Sequence, residues 1–262
     1  MKKFLLVAII LLCVTCAGCF QGNSTLVVTD DGKFFLRNKF IGVPLLAEQI
    51  ESLKNSFAHN PNADISPVAE NNMSGYEIRV QYPDVKSFAA EKIPLFTAHE
   101  GKCAGIRQRT GWFFDAYNFD LISTGEQNFS PSESAAIQSV LSQVTFDLTI
   151  ELPYAALSHN ADKVDASQRV LTWNLAASML SGTDKHMRVE FKLWHRDKIF
   201  LTALVELLLI AATTFFAVKV RSEESDSLKS DLSFKRNVLA GLTAALALIS
   251  AYMLLTPVTF AP

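Results

Sequence analysis

The sequence predicts an α+β fold: an exported domain with an antiparallel sheet and helices on one face, followed by a two-helix transmembrane hairpin. Three observations predict it. Several stretches alternate apolar and polar residues with a period of two, the mark of half-buried strands. Two segments between them repeat apolar residues on one helical face. The chain then ends in two apolar runs, 199–220 and 238–260, each long enough for the about 20 residues that a helix needs to cross a bilayer.

Residues 1–18 read as a lipoprotein signal peptide. Lys2 and Lys3 form a basic start, Phe4 to Val14 is an apolar run too short for a comfortable span, and small residues follow. Cys16-Ala17-Gly18-Cys19 resembles a bacterial lipobox, in which Cys19 is acylated, for example with palmitate, and becomes the mature N-terminus. The usual Leu three positions earlier is here Cys16. Ordinary cleavage after Ala17 and an uncleaved anchor are the other two readings. Cys13, Cys16 and Cys19 have the spacing of a metal or redox motif, but they lie in a segment that processing mostly removes. With Cys19 acylated, Cys103 has no partner within the chain, so no disulfide framework is expected.

The exported domain, 19–198, opens on a hairpin: Leu26 to Val28, a turn at Asp30-Asp31-Gly32, then Phe34 to Ile41. Leu46, Ile50, Leu53 and Phe57 share a helical face. Asn60 to Met73, rich in Pro, Asn and Asp, reads as a loop. Tyr76, Ile78, Val80 and Tyr82 alternate with polar residues, and a short helix is expected over Asp84 to Glu91. Trp112 to Ile122 reads as an aromatic strand with Phe113, Tyr117, Phe119 and Leu121 on one side. Its aromatics fit a sheet core or the lining of an apolar pocket. Ser130-Pro131-Ser132-Glu133 is a capping box opening a helix. Strands are then expected at Phe146 to Leu152, Leu171 to Leu175 and Val189 to Leu193.

The apolar run 199–220 carries one charge, Glu206, and 238–260 carries none. A carboxylate at mid-span costs about 2.5–3.5 kcal/mol on insertion scales. With the runs antiparallel, equal depth pairs residue 206 with residue 250. A hydrogen bond between a protonated Glu206 and Ser250 is therefore expected, against the alternative of a Glu206 that snorkels to the headgroups. The connection 221–237 holds Arg221, Lys229, Lys235 and Arg236, with Lys219 just before it, and reads as cytoplasmic. Lys185, Arg188, Lys192, Arg196 and Lys198 lie on the other side, so the N-terminal signal decides the orientation. Trp194 and Tyr252 then fall near the outer interface. Gly241/Ala245, Ala240/Ala244 and Ala247/Ala251 put small residues one turn apart, which lets helices approach closely.

Composition excludes some functions. Residues 20–198 hold 17 Lys and Arg against 21 Asp and Glu, a net charge of −4, which is no footprint for nucleic acid or for attraction to anionic lipid. No His-Glu-x-x-His, nucleophile elbow, P-loop or dinucleotide fingerprint is present. His99, Glu100 and Cys103 lack a fourth metal ligand. Asp115 and Asp120, five apart, fall on opposite sides of a regular strand and make a poor carboxylate pair. No catalytic residue, metal or cofactor is expected, and no ligand-binding residue is assigned.

Ser158-His159-Asn160-Ala161-Asp162, then Thr172-Trp173-Asn174-Leu175 and a last strand leading into a span, resemble the LppM-like bacterial lipoproteins. Gly75-Tyr76 before a strand and the opening Asp-Gly hairpin fit the same pattern. The resemblance implies a non-catalytic α+β envelope module, with lipid or glycolipid binding as proposed for some relatives. Independently, Asn160 and Asp162 suit an Asx-type turn, and Trp173 and Leu175 a buried face. The expectation is thus an envelope lipoprotein on the bacterial cytoplasmic membrane, held by its acyl anchor and its hairpin, whose domain on the outer face binds a membrane-proximal lipid, glycolipid or protein partner. The alternative is a structural or signalling subunit of a membrane complex that uses the hairpin.

Overall fold

The computed structural model describes residues 20–58, 60–90, 105–123, 144–176, 178, 184–256 and 260. The predicted signal peptide, Cys19, the region of His99 and Cys103, and the capping-box helix lie outside the described residues. The rest divides into two compact units. One is drawn from residues up to Gln108 and from Tyr117–Leu193, the other from Arg109–Ala116 and from Trp194 onward.

The fold is α+β, with two sheets. Strands β1 (Phe20–Val28) and β2 (Phe34–Gly42) form the expected hairpin, and Gly32 turns it with φ of 80°. Helix α1 (Ala47–Phe57) buries Ile50 and Phe57, as its apolar face requires. Then come β3 (Ala63–Glu70), β4 (Met73–Tyr82), α2 (Val85–Ala90), β5 (Arg107–Thr110), β6 (Phe114–Ser123) and β7 (Val144–Glu151). The short strands β8 (Ser158–His159) and β9 (Lys163–Val164) precede β10 (Val170–Asn174) and β11 (Lys185–Trp194). One sheet runs β3-β4-β2-β1-β7-β10-β9 and the other β5-β6-β11-β8.

Three features differ from the sequence reading. The antiparallel expectation holds for β1–β2, β2–β4, β3–β4, β7–β10, β9–β10 and β8–β11, whereas β1 and β7 pair in parallel. Alternation places a strand's faces but not its direction, so the pattern could not show this. Second, the expected loop 60–73 contains β3. Its Pro67 is tolerated because β3 is an edge strand. Asn71 and Asn72, with φ of 48° and 62°, form the two-residue turn to β4; positive φ at both positions is what such hairpins need, and Asn adopts it more readily than most residues. Third, Trp112 and Phe113 precede β6 instead of opening it. Within β6, buried positions shift phase between Ala116 and Tyr117. Phe114 and Ala116 face one buried cluster and Tyr117, Phe119 and Leu121 another, and the two carboxylates have different neighbours, His195 for Asp115 and Arg188 for Asp120.

The first unit has one core fed by both sheets. Phe34 of β2 packs on Phe119 of β6 with ring centroids 6.0 Å apart, and Trp173, Leu148 and Phe191 are fully or almost fully buried in the same cluster. One cross-strand pair breaks its apolar character. Ser24 and Asn38 are paired neighbours, both at 0 % exposure, and Ser24 Oγ donates to Asn38 Oδ1 at 2.7 Å. Asn38 Nδ2 has no hydrogen-bond partner among the described residues. Such an orphan donor costs about 1–3 kcal/mol. On the α1 side, Tyr76 donates to Glu51 at 2.8 Å. The Lys54 ammonium, then the Tyr76 hydroxyl, holds the Glu51 carboxyl below its ordinary range.

Candidate functional site

In the second unit, α3 (Arg196–Ser222) and α4 (Asp226–Leu255) are 27 and 30 residues long, and each has a window of mean hydropathy 2.2. At 1.5 Å per residue either is longer than the roughly 30 Å of a bilayer core. These helices are compatible with membrane association. The connection differs from the expected loop 221–237: only Glu223 to Ser225 separate the helices, and the polar stretch from Asp226 onward is helical. Asp226 suits the positive N-terminal end of α4, and Lys235 pairs with Asp231 one turn back at 2.8 Å.

Several hydroxyls inside the apolar runs are bonded within the chain. The Thr213, Thr214 and Thr243 hydroxyls each donate to the carbonyl four residues back at 2.8 Å. The structure brings Glu206 and Ser250 together, with Ser250 Oγ donating to Glu206 Oε1 at 3.2 Å. Interhelical bonds of this kind average about 0.6 kcal/mol, with a maximum near 1.7. Ser250→Ala should therefore weaken the α3–α4 pairing by about that much, and Glu206→Gln, which keeps an acceptor oxygen, by less. Reversible unfolding of the full chain in bicelles reads both. A Ser250→Ala chain as stable as the native one would remove any role for the bond.

A collar of side chains gathers at the opposite end of the helices from the Glu223–Ser225 connection. Gly111 N–H donates to the Phe114 carbonyl at 2.9 Å, closing a turn with Trp112 and Phe113 at its tip. The His195 N–H donates to the Phe113 carbonyl at 2.8 Å. His195 Nδ1 lies 3.0 Å from the Trp112 carbonyl, and Nε2 lies 3.5 Å from Asp115 Oδ1. Phe114 meets Trp194 edge-on at 5.2 Å. Phe113, Phe114 and Ala116 are buried, and Trp194, Ile199 and Phe260 pack against them. The collar thus joins the turn to the start of α3 and to a residue beyond the end of α4. Of the predicted interface residues, Trp194 belongs to the collar and Tyr252 is exposed on α4.

In the first unit, the motif residues Asn160 and Asp162 act at a corner where the chain passes from β8 in one sheet to β9 in the other. Asn160 Oδ1 accepts from Trp173 Nε1 at 2.9 Å and from the Arg188 N–H at 2.8 Å, and its Nδ2 donates to the His186 carbonyl at 2.9 Å. This side chain therefore ties β10 to β11 across the sheets, a longer-range task than the expected Asx turn. Asp165 makes the local turn instead, accepting from the Ser167, Arg169 and Val170 N–H groups. Burial opposes the charge on Asp162, but Lys185 and the Asn174 N–H outweigh it and hold its carboxyl below the ordinary range. Asp120 accepts from Arg188 at 3.2 Å and lies 3.1 Å from His186. Among the described residues no group of three His, Cys, Asp or Glu side chains is placed to hold a metal ion. The Asn160 clasp was within reach of the sequence only as a turn, because its partners are 13 and 28 residues away.

No family model matches the chain, and no curated protein matches it. The structure is similar to the NMR structure of the folded domain of Mycobacterium tuberculosis LppM, covering 70% of this chain and 94% of that one, at 11% identity and a TM-score of 0.41.

Proposed function

We propose that the chain is a non-catalytic, membrane-anchored envelope lipoprotein whose exported domain binds a membrane-proximal ligand, a lipid or glycolipid, or a protein partner. The observation that carries this is the pair of long helices whose apolar windows are unburied within the chain, with the Thr213, Thr214, Thr243 and Ser250 hydroxyls bonded internally. Such surfaces are stable in lipid and costly in water. In this reading α3 and α4 cross the bacterial cytoplasmic membrane, the signal sequence sends the domain outside, and acylated Cys19 adds a second tether. A domain held this close meets lipid, wall precursor or another membrane protein before it meets a distant solute.

Native mass spectrometry of the detergent-extracted full chain, titrated with an envelope lipid extract, tests the ligand. A retained lipid or glycolipid of defined mass is expected. Adducts of detergent alone would end the lipid reading and leave a protein partner. A second reading, a subunit that uses its hairpin as the binding element, is favoured by Gly241, where an added Cβ would meet nothing within 4 Å. Crosslinks mapping to the helices and not to the sheets would select it.

A further inference from the structure

We propose that the turn carrying Trp112 is a membrane-interface anchor, with the indole seated in the headgroup layer of a phospholipid bilayer. This rests on the reading of α3 and α4 as spans. Three observations carry it. Trp112 Nε1 donates to Thr202 Oγ1 at 3.3 Å, and Lys198 Nζ lies 5.5 Å from the centre of the indole ring. Thr202 is three residues into the apolar run that starts at Ile199, a depth of about 5 Å along the helix. The ring is thus fixed against the first turn of the span, at the level where Trp is enriched because one end of it is apolar and the other polar.

The second observation is exposure. Trp112 is 51% exposed although its N–H is already bonded. The apolar surface continues from it onto α3, where Val205, on the same helical face as Lys198 and Thr202, is 41% exposed. Lipid occupies one part of this surface if α3 spans, and the same lipid reaches the other. Third, the tip is braced. Phe113 is buried in the collar and its carbonyl holds the His195 N–H, so the turn cannot swing away from the helix start without breaking both. Lys198 supplies a cation at headgroup level, its stem free to run along the apolar surface. The anchor needs no net positive patch, which fits the slightly negative composition of residues 20–198.

The test uses the full chain in vesicles of phosphatidylcholine and phosphatidylglycerol, with the phosphatidylcholine brominated near the glycerol end of its acyl chains. Tryptophan emission should be quenched by the bromolipid. Trp112→Phe should reduce the quenchable part by about half or more, because Trp173 is buried in the sheet core. Trp194→Phe should reduce it less. Quenching that is unchanged in Trp112→Phe, or absent altogether in a chain that resists alkaline carbonate extraction, would overturn the anchor and leave the spans standing. A chain stripped from the vesicles by carbonate would overturn the spans and the anchor with them.

Discussion

Trp173→Ala should destabilise the two-sheet unit by about 3–5 kcal/mol, the range for emptying a large aromatic from a core. Trp173 is 0 % exposed and pairs with Leu148 across β10 and β7. Its loss would open a cavity bounded by strands that cannot collapse without breaking their ladders. It would also remove the Nε1 donor to Asn160, the residue that joins β10 to β11. The two contributions can be separated. Asn160→Ala keeps the ring but leaves its N–H without that acceptor, a loss of about 1–3 kcal/mol. Asn160→Asp keeps the acceptor and should lie nearer the native chain. For a unit of this size each kcal/mol moves the midpoint by about 2–4 °C. Thermal unfolding of the full chain in detergent, followed by near-ultraviolet circular dichroism, therefore resolves the series. A Trp173→Ala chain within about 1 kcal/mol of native would mean that the ring is not a core element.

The strands were legible because each presents one apolar side. Phe34, Leu36 and Phe40 on β2 and Phe146, Leu148 and Ile150 on β7 are buried in alternation, as a period of two requires. What alternation cannot carry is pairing. The parallel contact of β1 with β7 depends on where two segments 124 residues apart along the chain meet, as Phe20 does with Val144. β3 was hidden because Pro67 and the adjacent asparagines are loop residues by composition. Only an edge position and a two-residue turn at positive φ make them a strand. Trp112 stays out of the sheet core, since two residues at a hairpin tip can leave the strand pattern and turn one ring in and the other out. Equal depth from the 1.5 Å rise put residue 250 opposite residue 206. That estimate needs only two antiparallel helices, whereas the collar needs tertiary structure: its turn and the start of α3 are about 80 residues apart, as the 83-residue separation of Trp112 and His195 shows.

Gly75→Ala should be among the most damaging single-methyl additions in the chain, costing about 3 kcal/mol or more, at the upper end of overpacking effects. Gly75 lies on β4 opposite Ile41 of β2 and Val68 of β3, so backbone flanks it on both sides. A Cβ there would overlap the Phe40 carbonyl oxygen and come within 2.9 Å of the Ile41 Cα. Both obstacles belong to a hydrogen-bonded strand and neither can rotate away. The close approach has a cause in the burial pattern. Along β4, Met73 and Gly75 are buried on one side of the strand and Ile78, Val80 and Tyr82 on the other, so both sides are covered near this point. Glycine in a strand marks this kind of close backbone approach. The next residue, Tyr76, is half-buried with its hydroxyl on Glu51 of α1, so the backbone at Gly75 also bears on where α1 packs. Gly22→Ala is the control. Its methyl would meet the Phe146 ring, a side chain that can shift, and the cost should be smaller. Gly241→Ala meets nothing and should be neutral, or gain up to about 1 kcal/mol of helix propensity. The thermal midpoints should therefore fall in the order Gly241→Ala, Gly22→Ala, Gly75→Ala, from highest to lowest. A Gly75→Ala chain no less stable than Gly22→Ala would show that β2 and β4 can part locally without loss.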